Sequence, residues 1–186
     1  MKFKPTPIAG VFVVETDILG DARGSFMRLY CAEEQAAQTG FHKPVAQANR
    51  SVTAQKGSLR GLHYQRAPAL ESKMVRCTRG RVFDVAVDLR GGSETFLQHV
   101  SVELDSAQGL ALLIPEGCAH GFQTLEDDCE MIYLHTAPYD KEHEGGVRFD
   151  DPRLGIRWPL VAGTMSQRDQ SFPRLDDSFR GITHEV

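Results

Sequence analysis

Seven histidines and four cysteines are the first residues in this sequence that could do chemistry, as metal ligands, acids, bases or nucleophiles. The cysteines, Cys31, Cys77, Cys118 and Cys129, form no CxxC pair, which argues against a zinc ribbon or a dithiol redox centre. Two stretches concentrate the rest. The first runs Gly57-Ser-Leu-Arg60-Gly61-Leu-His63-Tyr64-Gln65. Read as a strand, it puts Gly61, His63 and Gln65 on one face, with Arg60 three residues before the histidine. An imidazole titrates near neutral pH and so can take and return protons. The missing side chain at Gly61 would leave room for a ligand beside it. The second stretch, Gly109 to Phe122, is an apolar run, a Pro115-Glu116-Gly117 turn and then His120.

Strands must carry these residues, because the dominant periodicity is two. Val82 to Leu89 sets Phe83, Val85, Val87 and Leu89 on one face and Asp84 and Asp88 on the other, the pattern of a half-buried strand whose acidic face is solvated or forms an interface. Val11–Glu15, Leu97–Leu104, Leu110–Ile114 and Met131–His135 also read as strands, separated by turn signals at Arg79-Gly80, Gly91-Gly92, Asp105 to Gly109 and Pro115 to Gly117. Ala32 to Gln38 reads as a helix stopped by Gly40. Short strands at this spacing predict an all-β sandwich or barrel.

At 186 residues the chain is long enough for one domain with a core of its own, and 41% hydrophobic with 25% charged residues is ordinary globular composition. The longest apolar runs are far too short for a membrane helix, and the N-terminus lacks the apolar core of a signal peptide, so a cytoplasmic setting with reduced thiols is expected. A net charge of -4 gives no reason to expect nucleic acid as a partner.

The second stretch has the spacing of the second cupin motif, G-x5-P-x-G-x2-H, ending on His120. In metal cupins the first motif supplies His-x-His. Here that slot reads His63-Tyr64-Gln65, so a three-histidine metal site cannot be assembled from these positions. The surrounding segments are Lys73-Met-Val-Arg-Cys-Thr-Arg-Gly80, Ile114 to Asp127, Phe149 to Pro159 and Ser166-Gln-Arg-Asp169. In this order they resemble the dTDP-4-dehydrorhamnose 3,5-epimerase family, from about Asp21 to Asp169.

That resemblance implies a cupin-type jelly roll with a few short helices, one domain over residues 1–186, with an N-terminal arm of about 1–20, a C-terminal wrap of about 160–186, and a homodimer. It implies an isomerase that needs no cofactor or metal and acts on a nucleotide-linked 4-keto-6-deoxyhexose, converting dTDP-4-dehydro-6-deoxy-D-glucose to dTDP-4-dehydro-L-rhamnose. By the same resemblance His63 is the base, Asp169 orients it, Lys73 faces the enolate oxygen and Tyr133 is the acid. Arg23, Arg28, Gln47, Asn49, Arg60, His120, Glu144 and Arg168 fall at substrate-binding positions. His42, His99, His135, His143 and His184 are read as surface or packing residues, and Cys77 and Cys118 as buried and inert.

Three positions depart from the family's common pattern: Arg28 where Glu is frequent, Ala48 where an acidic residue is frequent, and Arg168 in place of Lys. Arg28 and Ala48 keep open a relative that acts at one stereocentre or on a CDP- or GDP-linked sugar. From other classes, a silent sugar-nucleotide-binding cupin would lack His63, Lys73 or Tyr133, and a metal cupin dioxygenase would hold a stoichiometric metal.

Overall fold

The computed structural model describes residues 1–183, so His184 lies outside the described residues. In chain order the described elements are β1 (Lys2–Pro5), β2 (Phe12–Glu15), β3 (Ile18–Asp21), β4 (Gly24–Met27), α1 (Ala32–Thr39), β5 (Gln47–Thr53), β6 (Leu59–Gln65), β7 (Lys73–Arg79), β8 (Arg81–Asp88), β9 (His99–Asp105), β10 (Leu110–Ile114), β11 (Cys118–Thr124), β12 (Cys129–His135), β13 (Glu144–Gly146) and α2 (Gln167–Ser171). Helix α1 begins with Glu33 and Glu34 in its first turn, where their charge suits the helix dipole. It stops at Gly40, whose left-handed φ of 73° lets its N–H reach the Ala36 carbonyl.

Two antiparallel sheets face each other. One has the order β1-β2-β10-β7-β12-β5 and the other β13-β6-β11-β8-β9, which is the all-β cupin-type sandwich expected from the sequence. The apolar faces of β7, β10 and β12 meet those of β8, β9 and β11 in a core that includes Val75, Leu112, Met131, Val82, Leu104 and Phe122. The outer faces are covered too. Phe3, Val14, Met74 and Leu113 pack with Met1, Phe12, Tyr30 and Leu134 outside the first sheet. Outside the second, Leu62, Val85, Val87 and Ala119 pack under Leu154, Trp158, Leu175, Phe179 and Ile182 of the C-terminal segment.

This layering corrects the reading of β8. Val82, Asp84 and Ala86 point into the sandwich while Val85 and Val87 point under the tail, so neither face is solvated, and Asp84 and Asp88 are both fully buried. Asp88 is satisfied by Arg90, Ser93 and Thr95, whereas Asp84 meets His120 through one oxygen only. The N-terminal arm also differs from expectation. Residues 2–5 and 12–15 are strands of the main sheet, and the piece that projects is the β3–β4 hairpin, which leaves Leu19 and Phe26 64% and 67% exposed. Arg76 lies buried at the root of that hairpin. It donates to the carbonyl of Gly109 at 2.6 Å and to Thr16 Oγ1 at 3.1 Å.

The space expected at Gly61 is not left for a ligand. A Cβ there would fall 2.5 Å from Gly121 Cα and 2.8 Å from the His120 carbonyl, at a φ of +118°. Glycine is needed because β6 and β11 cross closely, and the crossing coincides with a register shift between His120 and Phe122.

Candidate active site

One end of the sandwich opens into a cleft of ≈ 530 Å³. Alternation along each strand supplies its walls: Gln47, Asn49 and Ser51 from β5, His63 from β6, Lys73 from β7, His120 and Phe122 from β11, and Tyr133 and His135 from β12. A second hollow of ≈ 400 Å³ adjoins it and shares Arg60, His63 and Arg168.

His63 is the best-placed base. Its Nε2 lies 2.9 Å from Asp169 Oδ1, and the other carboxylate oxygen accepts the Gly61 N–H at 3.1 Å. Asp169 reaches this position from the short helix α2, where its own N–H is capped by Ser166 Oγ. Burial raises the Asp169 carboxyl. The hydrogen bond and charge of His63 and the Gly61 amide outweigh it and hold the group well below the usual carboxylate range, so Asp169 stays anionic beside the imidazole. Phe172 meets the His63 ring edge-on at 5.7 Å. Arg168 spans the cleft edge: Nη2 lies 3.1 Å from His63 Nε2, and Nη1 lies 2.8 Å and 3.0 Å from the two oxygens of Glu144.

Lys73 is buried at the start of β7, with Nζ 2.6 Å from Glu71 Oε1. Tyr133 is half-buried, and its hydroxyl lies 3.0 Å from Ser51 Oγ. Burial, eased only slightly by Ser51, pushes the phenol up to about 12, so it remains protonated at neutral pH and able to donate. His120 closes the floor with Nε2 2.9 Å from Asp84 Oδ2, while Asp84 Oδ1 is buried without a partner.

The structure therefore brings His63, Lys73, Tyr133, Gln47, Asn49, Arg60, His120, Glu144 and Arg168 around one cleft, with Asp169 directly behind His63. Arg60 sits at the exposed rim and not among buried strands; it donates to Thr53 Oγ1 and the Val52 carbonyl. Arg23 and Arg28 are elsewhere. Arg23 is at the tip of the β3–β4 hairpin, paired with Asp21, and Arg28 pairs with Glu34 of α1.

Glu71 and His135 also line the cleft, although the sequence reading takes His135 as a surface or packing residue and does not single out Glu71. The signal was there: Tyr133 and His135 are two apart on one strand, and Ser51 continues the series of Gln47 and Asn49. Gln65 serves neighbouring loops, donating to the Ala69 and Pro138 carbonyls and accepting from the Asp140 N–H. Among the described residues no three His, Cys, Asp or Glu side chains converge to hold a metal ion. Burial pushes the thiols of Cys77 and Cys118 up to about 12, as their inert reading requires.

A family model described as dTDP-4-dehydrorhamnose 3,5-epimerase matches residues 5–177. A protein of that name from Sinorhizobium fredii is 43% identical over 181 residues, covering 94% of this chain and 90% of its own length. The solved dTDP-6-deoxy-D-glucose-3,5-epimerase of Legionella pneumophila, in complex with dTDP-4-keto-L-rhamnose, superposes with a TM-score of 0.91 at 35% identity and covers 99% of each chain. A 3'-monoepimerase from Streptomyces bikiniensis, in complex with dTDP-quinovose, gives 0.86 at 35% identity, covering 91% of this chain and 85% of the other.

Proposed function

Because the chain belongs to the dTDP-4-dehydrorhamnose 3,5-epimerase family, we propose that His63 and Tyr133 are the proton carriers of its reaction, with Asp169 and Lys73 supporting them. The chain is an isomerase. Its reaction is the 3,5-epimerisation of a dTDP-linked 4-keto-6-deoxyhexose, dTDP-4-dehydro-6-deoxy-D-glucose giving dTDP-4-dehydro-L-rhamnose.

The observation that carries the residue assignment is the His63–Asp169 contact facing Lys73 and Tyr133 across one cleft. A proton next to a ketone is acidic enough to remove only if the resulting enolate oxygen is held. With Nε2 committed to Asp169, Nδ1 of His63 takes the proton, and the anionic carboxylate stabilises the imidazolium. The buried Lys73 ammonium meets the enolate oxygen, where its charge is worth most. Tyr133, kept protonated, returns a proton to the opposite face, and inversion results. Arg60 and Arg168 suit the diphosphate, which guanidinium groups bind bidentately, and Gln47, Asn49, His120 and Glu144 offer polar contacts to the sugar and base. The chemistry calls on no cofactor.

Arg23 and Arg28 enter this scheme only through a homodimer. The β3–β4 hairpin is a two-stranded ribbon with both faces exposed, which is marginal alone in water, and β5, beside the cleft, is an edge strand with an unpaired side. A second copy pairing its hairpin with β5 would cover both and bring the partner's Arg23 towards the nucleotide. The two sheets, α1 and the tail work as one unit of residues 1–186. Four unpaired cysteines suit a cytoplasmic setting.

NMR of dTDP-4-dehydro-6-deoxy-D-glucose incubated with the protein in deuterated water tests the reading. Deuterium at C3 and C5, with L-rhamno product, is expected from wild type, and neither from His63→Ala. Undiminished exchange by His63→Ala would overturn the base assignment. A second reading, epimerisation at C3 alone, is supported by the similarity to the Streptomyces bikiniensis 3'-monoepimerase, and the same spectrum would show it as label confined to C3.

A further inference from the structure

Tyr133 stands between two histidines, each held by a carboxylate of its own. His120 meets the phenol ring edge-on at 6.2 Å, with Asp84 behind it, and His135 stacks on it at 6.0 Å, with Glu71 behind it. Glu71 also does a second job. Its Oε1 lies 2.6 Å from Lys73 Nζ, and its Oε2 accepts from His135 Nδ1 at 2.7 Å. The side chains of Glu71 and Lys73 are only 9% and 6% exposed, so the pair is withdrawn from water and removing one partner strands the other charge. Burial raises Glu71, but His135 and Lys73 together bring it down to about 2, and it remains a carboxylate at working pH.

The hydrogen-bond polarity can be followed outward from there. His135 donates from Nδ1, so in its neutral form Nε2 is an acceptor. Asn49 Nδ2 lies 3.4 Å from it, and Asn49 Oδ1 accepts from Gln47 Nε2 at 3.2 Å. The strands match this arrangement. β7 begins at Lys73 and β12 ends at His135, and these two residues are register partners, so Glu71 fastens the ends of two strands at once. One strand carries the ammonium and the other carries the phenol, two residues from its end.

We propose that Glu71 is a positioning residue for the epimerisation, whose single carboxylate fixes the Lys73 ammonium at the enolate oxygen and, through His135, the ring of Tyr133. Lysine has a flexible four-carbon stem and would otherwise wander within the cleft. A phenol that must deliver a proton to one face of a planar enolate needs its ring angle held, and the stacked imidazole holds it. This proposal rests on the roles given above to Lys73 and Tyr133.

The test uses the full chain, with dTDP-4-dehydro-6-deoxy-D-glucose as substrate and three variants: Glu71→Gln, His135→Phe and the double variant. Glu71→Gln keeps the shape but cannot hold both partners, and kcat should fall about 10²-fold with KM nearly unchanged, as displacement of reacting groups predicts. His135→Phe keeps a ring against Tyr133 but loses Glu71, and kcat should fall about tenfold, a step of about 1.4 kcal/mol. The double variant should be no slower than Glu71→Gln, because His135 acts through Glu71. Ring nitrogen NMR should show His135 as the Nδ1–H tautomer in wild type and not in Glu71→Gln.

Unchanged kcat, independent and additive losses, or a rise in KM alone would each overturn the proposal. If Glu71→Gln does not fold, His135→Phe decides alone, since a packing role would leave its kcat at the wild-type value. Wild type that turns over the sugar nucleotide alongside unaffected variants would sink this proposal only. Wild type that leaves the sugar nucleotide unchanged would sink the reading beneath it, and the proposal with it.

Discussion

His63–Asp169 and His120–Asp84 share the same 2.9 Å contact and the same residue types, yet their surroundings differ. The His63 side chain is 26% exposed to the cleft, and its carboxylate has both oxygens occupied, by the imidazole and by the Gly61 amide. The His120 side chain is 6% exposed and its carboxylate is fully buried, with one oxygen bare. The first carboxylate arrives from the tail, 106 residues away; the second sits on β8, the strand hydrogen-bonded to β11. Contact distance alone therefore does not mark a proton carrier. Access to the cleft, and a carboxylate with both oxygens occupied, distinguish the two pairs.

That contrast can be broken by experiment. His63→Ala should cost about 10³-fold in kcat, the scale of a lost general base, whereas His120→Ala should cost less; equal losses in steady-state assays would erase the distinction. Asp169→Asn should lower kcat about 10²-fold with a melting temperature near wild type. Asp84→Ala should chiefly destabilise, by about 1–3 kcal/mol in denaturant titration, because it strands a buried imidazole N–H. Tyr133→Phe should slow product formation about 10²-fold while His63 still exchanges the substrate's proton with solvent; loss of both would move the first step to Tyr133.

The smallest expected effect is one of pH. Asp169 and Glu71 have folded-state pKa values held below their unfolded values, so the stability they confer is present above about pH 4 and is lost as pH falls through their depressed folded-state values, Glu71's being about 2. Acid titration followed by circular dichroism should show Asp169→Asn losing less stability than wild type between neutral pH and pH 2. Parallel curves would deny Asp169 its charge.

Parts of this contrast were legible in the sequence. β10 was readable as Leu110–Ile114, because Gly109 and Pro115 bracket an apolar run. Helix α1 was readable to within a residue from Gly40. The floor was not, because period-two alternation reports which residues share a face and not what covers it. β8 is roofed by the other sheet on one side and by the tail on the other, so Asp84 looked solvated and is buried. Asp169 could be paired with His63 only through the family resemblance, since no local pattern links positions so far apart. That Arg28 pairs with Glu34 within its own chain was not legible either, because Glu34 lies one element on, in α1.

The distant origin of Asp169 also orders events in time. Synthesis adds roughly 5–20 residues per second, so His63 leaves the ribosome at least several seconds before its carboxylate exists. The strands of both sheets precede α2 in the chain, so all of them are synthesised before Asp169 exists to meet His63. Among the described residues α2 is the last helix or strand to emerge, and a chain cut before Ser166 would lose Asp169 from behind His63, Arg168 from the cleft edge, and the cover that Leu175, Phe179 and Ile182 lay over the second sheet.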